Sequence, residues 1–171
     1  KLNLKFVNKT PKIAKDNEII LLTQKVIKSK EIKQLSKSIF LNKLFSEQNF
    51  LSKDYNGKSY IFVNCIKSQI SLDFEKLGSK LYVFLKENKK ENSFINVENN
   101  SFTNVQLEKF LHGAQLKSYN FNLYKTDKKK DANINLSIVG NSIKQKNLLR
   151  NKLKALLEGV FLTRDLVSEP G

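Results

Sequence analysis

Alternating stretches and short apolar runs along the chain predict a set of β-strands. In "KLNLKFV" Leu2, Leu4 and Phe6 share one face and polar residues the other, which is the period of two that is typical of a half-buried strand. Further strand patterns lie at 17–22, 58–66, 93–97 and 120–141, the last with Phe121 and Leu123 on one face and Ile134, Leu136 and Ile138 on another. The Asn56-Gly57 pair predicts a hairpin turn before the third strand.

Apolar residues that recur every three or four positions predict four helices. The clearest covers 71–90, where Ser71 or Asp73 can cap the N-terminus and lysines lie in the last turn, so the charges complement the helix dipole. Thr103 and Gln106 form a capping-box pattern before the next helix. The apolar stripes are, in chain order, Ile32, Leu35, Ile39 and Leu44; Phe74, Leu77, Leu81, Phe84 and Leu85; Leu107, Phe110, Leu111 and Ala114; and Leu149, Leu153, Leu156, Leu157, Val160 and Phe161.

The order of these elements indicates the fold class. Strands and helices alternate along most of the 171 residues, which favours a mixed α/β sheet flanked by helices. The length fits one domain, and a hydrophobic content of 40% is enough for a core. The sequence contains no apolar run long enough to span a bilayer, so it predicts no membrane partner.

The net charge of +15 raises the question of a polyanionic partner. Only Arg150 and Arg164 of the 31 basic residues are arginines, and asparagine is frequent. AT-rich coding favours lysine and asparagine, whereas phosphate recognition is expected to retain arginine, whose planar guanidinium binds phosphate at two points. We therefore interpret most of the charge as a solvated surface with weak, salt-sensitive attachment to polyanions.

One stretch keeps nucleic-acid binding open as an alternative function. The segment "LKSYNFNLYKTDKKK", residues 116–130, interleaves aromatic side chains with lysines. Bases can stack on such rings while the lysines contact phosphates. The candidate contact residues are Tyr119, Tyr124, Lys125, Lys128, Lys129 and Lys130.

The residues that usually carry catalysis or bind metals are sparse. His112 is the only histidine and Cys65 the only cysteine, so a zinc site of ordinary type lacks ligands. We interpret His112 as structural and Cys65 as a small hydrophobic residue. Asp73 and Glu75 fit the start of a helix better than an acid/base pair. The glycines are too scattered for a phosphate-binding loop, so we predict no catalytic, metal-binding or cofactor-binding residue in this chain.

Two stretches resemble the leucyl aminopeptidase (cytosol aminopeptidase) family. In "FLHGAQLKSYNFNLYKTDKK", residues 110–129, the similarity is carried by Gly113, Leu116, Ser118, Tyr119, Phe121, Tyr124, Lys125 and Thr126. In "EGVFLTRDLVSEPG", at the end of the sequence, it is carried by Arg164, Asp165, Leu166, Val167, Glu169 and Pro170. The second stretch is similar to the family's junction between two domains. The segment "VNCIK" at 63–67 departs from the family, whose members often have a glycine-rich turn there.

The resemblance implies a fold, an activity and partners. It implies a macro-domain-like N-terminal domain at 1–163, with 164–171 starting a junction to a C-terminal catalytic domain that this chain does not include. That domain would hold two divalent metals (manganese, zinc or magnesium) and remove N-terminal residues from peptides, with leucine favoured. The family further implies a cytoplasmic homo-hexamer. On this interpretation the present domain is non-catalytic and supports assembly and domain packing.

Overall fold

The computed structural model describes residues 2–8, 16–23, 26, 49–98, 102–119, 133–140 and 143–168, with the backbone alone for 143–150. Six strands and three helices occupy these residues. They are β1 (Leu2–Val7), β2 (Asn17–Leu22), β3 (Phe50–Tyr55), β4 (Lys58–Asn64), α1 (Ser71–Glu87), β5 (Asn92–Asn96), α2 (Asn104–Ser118), β6 (Ile134–Val139) and α3 (Ile143–Ser168). The helix predicted near 30–45, and the predicted positions Phe121 and Leu123, lie outside the described residues.

All six strands join one mixed sheet in the order β1-β6-β5-β2-β4-β3. Every neighbouring pair is parallel except β3 and β4, which are antiparallel. Asn56 and Gly57 link these two strands with φ angles of 47° and 74°, the left-handed conformations that a tight hairpin turn requires. The mixed, mostly parallel α/β fold is thereby confirmed, although the sequence pattern had not singled out β3.

The core lies between the sheet and the first two helices. Leu21, Ile61 and Leu136 from the sheet share one buried cluster with Leu81 of α1 and Phe110 of α2. Side chains alternate between the two faces of a strand, and residues of the opposite face, such as Leu22, Phe62 and Phe94, are buried as well. Burial on both faces is what a mostly parallel sheet with long crossover connections produces.

Two glycines set the approach of α1 to α2. A Cβ atom at Gly78 would lie 1.8 Å from the carbonyl oxygen of Phe110, and one at Gly113 would lie 1.9 Å from the carbonyl oxygen of Glu75. Such distances are far inside van der Waals contact. The two backbones can therefore pack this closely only because neither position carries a side chain.

The predicted cap of α2 is confirmed, and of the two candidate capping residues of α1 the structure selects Asp73. Thr103 Oγ1 accepts from the Gln106 N–H at 3.2 Å, and Gln106 Oε1 accepts from the Thr103 N–H at 2.9 Å, so the predicted capping box is present. At α1 the Asp73 carboxylate accepts from the N–H groups before the helix, while Ser71 is the first helical residue.

The apolar residues of the last helix differ in burial. Leu153 and Leu157 are buried, and Val160 and Phe161 are half-buried, but Leu156 is 42% exposed. Leu153 and Leu157 lie one turn apart, whereas Leu156 is rotated about 100° from Leu157 around the helix axis. The buried stripe of α3 is thus narrower than the apolar pattern indicated.

Candidate interdomain junction

The end of α2 and the end of α3 meet in a compact polar and aromatic cluster. The Tyr119 hydroxyl donates a 2.5 Å hydrogen bond to Oδ1 of Asp165. On the same helix as Asp165, one turn earlier, Phe161 stacks on the Tyr119 ring with centroids 5.0 Å apart and planes inclined by 29°. Stacked aromatic pairs at this distance are favourable beyond the area they bury. Tyr119 is therefore held by both its ring and its hydroxyl.

Arg164 completes this cluster, which we call the junction cluster (Tyr119, Phe161, Arg164 and Asp165). Its Nη1 donates to the carbonyl oxygen of Leu116 at 3.2 Å, and its Cζ lies 5.4 Å from the centroid of the Tyr119 ring. Leu116 is in the last turn of α2, where its carbonyl oxygen also accepts from the Tyr119 N–H at 3.4 Å and where the helix dipole attracts positive charge. Arg164 thus adds a second hydrogen bond to this carbonyl oxygen and contributes a cation–π contact.

The electrostatics of the cluster favour the neutral tyrosine. Desolvation raises the pKa of Tyr119, with the hydrogen bond to Asp165 and the charge of Asp165 acting in the same direction and Arg164 opposing them. A phenolate beside the Asp165 carboxylate would bring two negative charges together. The phenol of Tyr119 is consequently protonated, and able to donate to Asp165, at neutral pH.

The cluster joins residues from the two family-like stretches. Tyr119 belongs to the first stretch, and Arg164 and Asp165 belong to the second. The other predicted junction residues behave differently: Leu166 is 62% exposed and Val167 is 82% exposed, while Glu169 and Pro170 lie outside the described residues. Sequence reasoning named Tyr119, Arg164 and Asp165 for different roles and did not foresee that they contact one another.

A shallow groove of about 410 Å³ runs beside the cluster, between α1, α2 and the end of α3. Its lining combines apolar side chains with charged ones from all three helices: Leu72, Glu75, Lys76, Ser79, Gly113, Leu116, Lys117, Tyr119 and Arg164. Such mixed, open surfaces are common between packed helices and differ from enclosed ligand pockets. The groove therefore leaves one side of the junction cluster open to solvent.

His112 and Glu75 approach each other across the two close-packed helices, although neither ring nitrogen of His112 makes a hydrogen bond. Nδ1 of His112 lies 3.5 Å from Oε2 of Glu75, and Lys109 Nζ lies 4.0 Å from the same oxygen. This placement fits the structural interpretation of His112, which contacts the neighbouring helix. Asp73 is engaged separately, since backbone hydrogen bonds from Gln69 and Ile70 lower the pKa of its carboxyl. The two acidic residues at the start of α1 thus have separate structural contacts.

Cys65 follows β4 and is buried. Desolvation strongly raises the pKa of its thiol, and its Sγ donates to the Val63 carbonyl oxygen at 3.4 Å. A thiol in this state is a poor nucleophile. Across the part of the chain that the structure describes, no three histidine, cysteine, aspartate or glutamate residues gather where they could hold a metal ion.

The structure describes only one of the six residues that were predicted to contact nucleic acid. Tyr119 is in the junction cluster, where its ring already stacks on Phe161. Tyr124, Lys125, Lys128, Lys129 and Lys130 lie outside the described residues, so binding through this stretch stays a prediction. Within the described ranges, no helix has the length and apolar character needed to cross a membrane.

Comparison with known proteins identifies a relative by sequence and several solved structures with a related fold. No family model matches the chain. A stretch of 71 residues, 39% of this chain, is 41% identical to a probable cytosol aminopeptidase of Phytoplasma mali (strain AT), of which it covers 14%. The resemblance seen in the sequence motifs is therefore confirmed by a named relative of the same kind.

Solved structures share the fold over almost the whole chain. A mutant of tomato leucine aminopeptidase matches 99% of this chain with a TM-score of 0.69 and 18% identity, and the match covers 39% of that enzyme. The bottromycin maturation enzyme BotP, in complex with Mn, matches 91% of the chain with a TM-score of 0.60 and 12% identity over 32% of its length. The chain thus shares its α/β fold with part of these enzymes and spans well under half of their length.

Proposed function

We propose that this chain is the non-catalytic N-terminal domain of a leucyl aminopeptidase-like exopeptidase. The sequence relative supports the family, and the match to 39% of the tomato enzyme supports a domain within a longer polypeptide. The parent enzyme would hydrolyse N-terminal residues from peptides, with leucine favoured. Its two divalent metals (manganese, zinc or magnesium) would be bound by the catalytic domain, and we assign no chemical step to the residues of this chain.

The observation that carries this proposal is the hydrogen bond between Tyr119 and Asp165. These residues come from the two separate family-like stretches and lie 46 positions apart. A chance likeness in two short stretches would not require them to contact one another. Their contact gives the resemblance a physical meaning, since the residues that resemble the family hold the end of α2 against the helix that enters the predicted junction.

The role of the domain follows from the path of α3. This helix runs unbroken from Ile143 to Ser168, across the predicted boundary at 163–164. A continuous helix transmits orientation, whereas a flexible linker would not. Leu153 and Leu157 bind the helix to the fold, and the junction cluster holds its end. We infer that the domain positions the catalytic domain and supports assembly of a homo-hexamer in the cytoplasm.

The test begins with the reading frame beyond codon 171 and the protein it encodes. We expect a second domain, and hydrolysis of a leucine-terminated peptide by the full-length protein after addition of manganese or zinc. Removing residues 1–140 from that protein is expected to reduce the hexamer seen by sedimentation. A reading frame without a second domain, or a metal-loaded full-length protein without aminopeptidase activity, would contradict the proposal. An unchanged hexamer would contradict the role in assembly.

A further inference from the structure

The tip of the hairpin between β3 and β4 is an exposed Asn-Gly pair. Asn56 and Gly57 are the two residues that connect the paired positions Tyr55 and Lys58, and both lie on the surface. Asn56 is the only asparagine in the sequence that is followed by glycine. Asparagine is chemically labile, because the backbone nitrogen of the next residue can attack its side-chain carbonyl carbon. A glycine at that next position has no Cβ to obstruct the approach.

The two groups that would react are free in the structure. Neither the side-chain amide of Asn56 nor the N–H of Gly57 makes a hydrogen bond to another described residue. Nothing lies within 4 Å of the position that a Cβ on Gly57 would take. Other asparagines differ, since the side-chain amides of Asn17, Asn88 and Asn135 each donate a hydrogen bond. Asn56 is therefore less restrained than these residues.

The backbone of the turn is close to the geometry that ring closure requires. The φ angles of 47° at Asn56 and 74° at Gly57 are those of a type I′ turn. A cyclic imide needs the Gly57 nitrogen beside the Asn56 side chain, which sets ψ of Asn56 to about −120° at a positive φ, as in the first position of a type II′ turn.

The change from one turn to the other is small. It rotates mainly the peptide group between Asn56 and Gly57, and glycine accepts the φ angle of either turn. Both turn types connect the strands of two-residue hairpins. The ring can therefore close while β3 stays paired with β4.

We propose that Asn56 is a site of spontaneous deamidation in the folded protein. The Gly57 nitrogen forms a bond to Cγ of Asn56, the bond from Cγ to Nδ2 breaks, and Nδ2 leaves as ammonia with the proton of the Gly57 amide. Water then opens the imide. Addition of water at Cγ gives aspartate, and addition at the backbone carbonyl carbon gives isoaspartate, in which the chain continues through the side chain. Water is the only co-reactant.

The products change the charge and the path of the chain at this turn. Each carries a new carboxylate, which reduces the net charge of +15 by one. Isoaspartate also adds a methylene group to the backbone, so the loop no longer matches the register of the paired strands. Among the described strands β3 has only β4 as a neighbour. We therefore expect isoaspartate to loosen β3, whereas aspartate is compatible with the turn.

The experiment follows deamidation in the full-length protein and does not depend on the proposed function. The folded protein is incubated in water enriched in heavy oxygen, so that conversion before digestion is marked, and its peptides are separated by mass and chromatography. Asn88 is the internal control, because it is exposed too, is followed by Lys89 and donates its amide hydrogen to the Phe84 carbonyl. We expect conversion at Asn56 to be at least about fivefold faster, since release of the Asn88 hydrogen bond alone lowers the reactive population by about that factor.

Asn56→Gly is the matched variant. It removes the side-chain amide and keeps a residue that adopts positive φ, so the turn is retained and the conversion at this position is lost. Hydrogen exchange then compares fresh with aged protein. In the parent the amides of β3 should exchange faster after ageing, and in Asn56→Gly they should not. The amides of β5 report whether the centre of the sheet stays folded.

Each outcome decides the proposal. Faster conversion at Asn56 than at Asn88, with isoaspartate among the products, supports it. If Asn56 keeps its amide in the folded protein and converts only in urea, the turn protects the residue and the proposal is overturned. Equal conversion at Asn56 and Asn88 also overturns it. Accumulation of isoaspartate with unchanged exchange in β3 would overturn the predicted loosening of that strand.

Discussion

The hydroxyl of Tyr119 donates a 2.5 Å hydrogen bond to Asp165 and so joins the end of α2 to the last turns of α3. Phe161 stacks on the same tyrosine ring, and the guanidinium of Arg164 lies 5.4 Å from its centroid. A single side chain thereby ties the domain to the helix that leads into the proposed junction. The orientation of α3 depends on this tyrosine and on the burial of Leu153 and Leu157.

The contact between Tyr119 and Asp165 should weaken at alkaline pH. Desolvation, with the hydrogen bond and charge of Asp165, raises the pKa of Tyr119. The neutral phenol is the donor, so the stabilisation is complete below the pKa of an unfolded tyrosine, about 10. It is lost as pH rises through the higher pKa of the folded state. We therefore expect the free energy of unfolding to decline in this alkaline range.

Two variants isolate that titration. The difference in ultraviolet phenolate absorbance between the parent and Tyr119→Phe reports Tyr119 among the five tyrosines, and in Asp165→Asn this component should move to lower pH. Tyr55→Phe is the control for removing a phenol from another site. If the Tyr119 component has the same midpoint in the Asp165→Asn protein, the carboxylate has no influence on the phenol.

The glycines between α1 and α2 should not tolerate a methyl group. Gly78→Ala would place Cβ against the Phe110 carbonyl, and Gly113→Ala would place it against the Glu75 carbonyl, in both cases inside 2.0 Å. The helices must separate to relieve the clash, so we expect each change to lower the free energy of unfolding by more than about 2 kcal/mol. Urea denaturation measures the effect.

The same glycine-to-alanine substitution at Gly159 should raise the free energy of unfolding. Gly159 is also helical, but nothing lies within 4 Å of its Cβ position. Alanine restricts the unfolded chain and favours helix, so the free energy of unfolding should rise by about 1 kcal/mol. Equal destabilisation by all three substitutions would show that the approach of α1 to α2 is not responsible.

Asp73 should make α1 sensitive to acid. Hydrogen bonds from the N–H groups of Gln69 and Ile70 lower the pKa of its carboxyl. A lowered folded pKa gives stabilisation that is present above the unfolded value of about 3.9 and is lost as pH falls through the folded pKa. The expected result is that Asp73→Asn flattens the acid side of the urea-midpoint profile.

The matched control for this acid effect is Glu87→Gln. Glu87 is exposed and is the last residue of α1, at the opposite end of the helix from Asp73, so its replacement should leave the Asp73 contribution in place. If the urea midpoint depends on acid pH in the same way in Asp73→Asn as in the parent, the two backbone hydrogen bonds do not discriminate between the charged and the neutral carboxyl.

Binding to nucleic acid should reflect total charge. We expect weak attachment to duplex DNA with a steep dependence on salt, because counterion release supplies the affinity. Replacing Lys128, Lys129 and Lys130 with glutamine should lower the salt slope by about 2 to 3. Replacing the exposed Lys67, Lys76 and Lys80 in the same way should lower it equally.

A gel shift across a salt series measures both triple variants. If the first triple abolishes binding and the second has little effect, the stretch 116–130 is a specific site and the alternative function from the sequence gains support. Binding that depends on DNA sequence and persists at physiological salt would lead to the same conclusion.

The sequence by itself determined the elements that depend on near neighbours. Alternating patterns located β1 and β6, short and mostly apolar segments located β2, β4 and β5, and reciprocal side chains located the start of α2 at Thr103. These signals are local because the two faces of a strand, the apolar stripe of a helix and the reciprocal hydrogen bonds of a cap all involve residues a few positions apart. The separate motifs at 110–126 and 164–170 were also readable, although their roles were assigned independently.

Only the tertiary structure decided which of these pieces meet. The pairing of Tyr119 with Asp165 depends on the position of α3 beside α2, which packing of Leu153 and Leu157 fixes and no local pattern encodes. Exposure of Leu156 has the same origin, since an apolar residue is buried only where another element lies over it. The close approach at Gly78 and Gly113 likewise required the geometry of two helices, because an isolated glycine in a helical pattern does not reveal what packs against it.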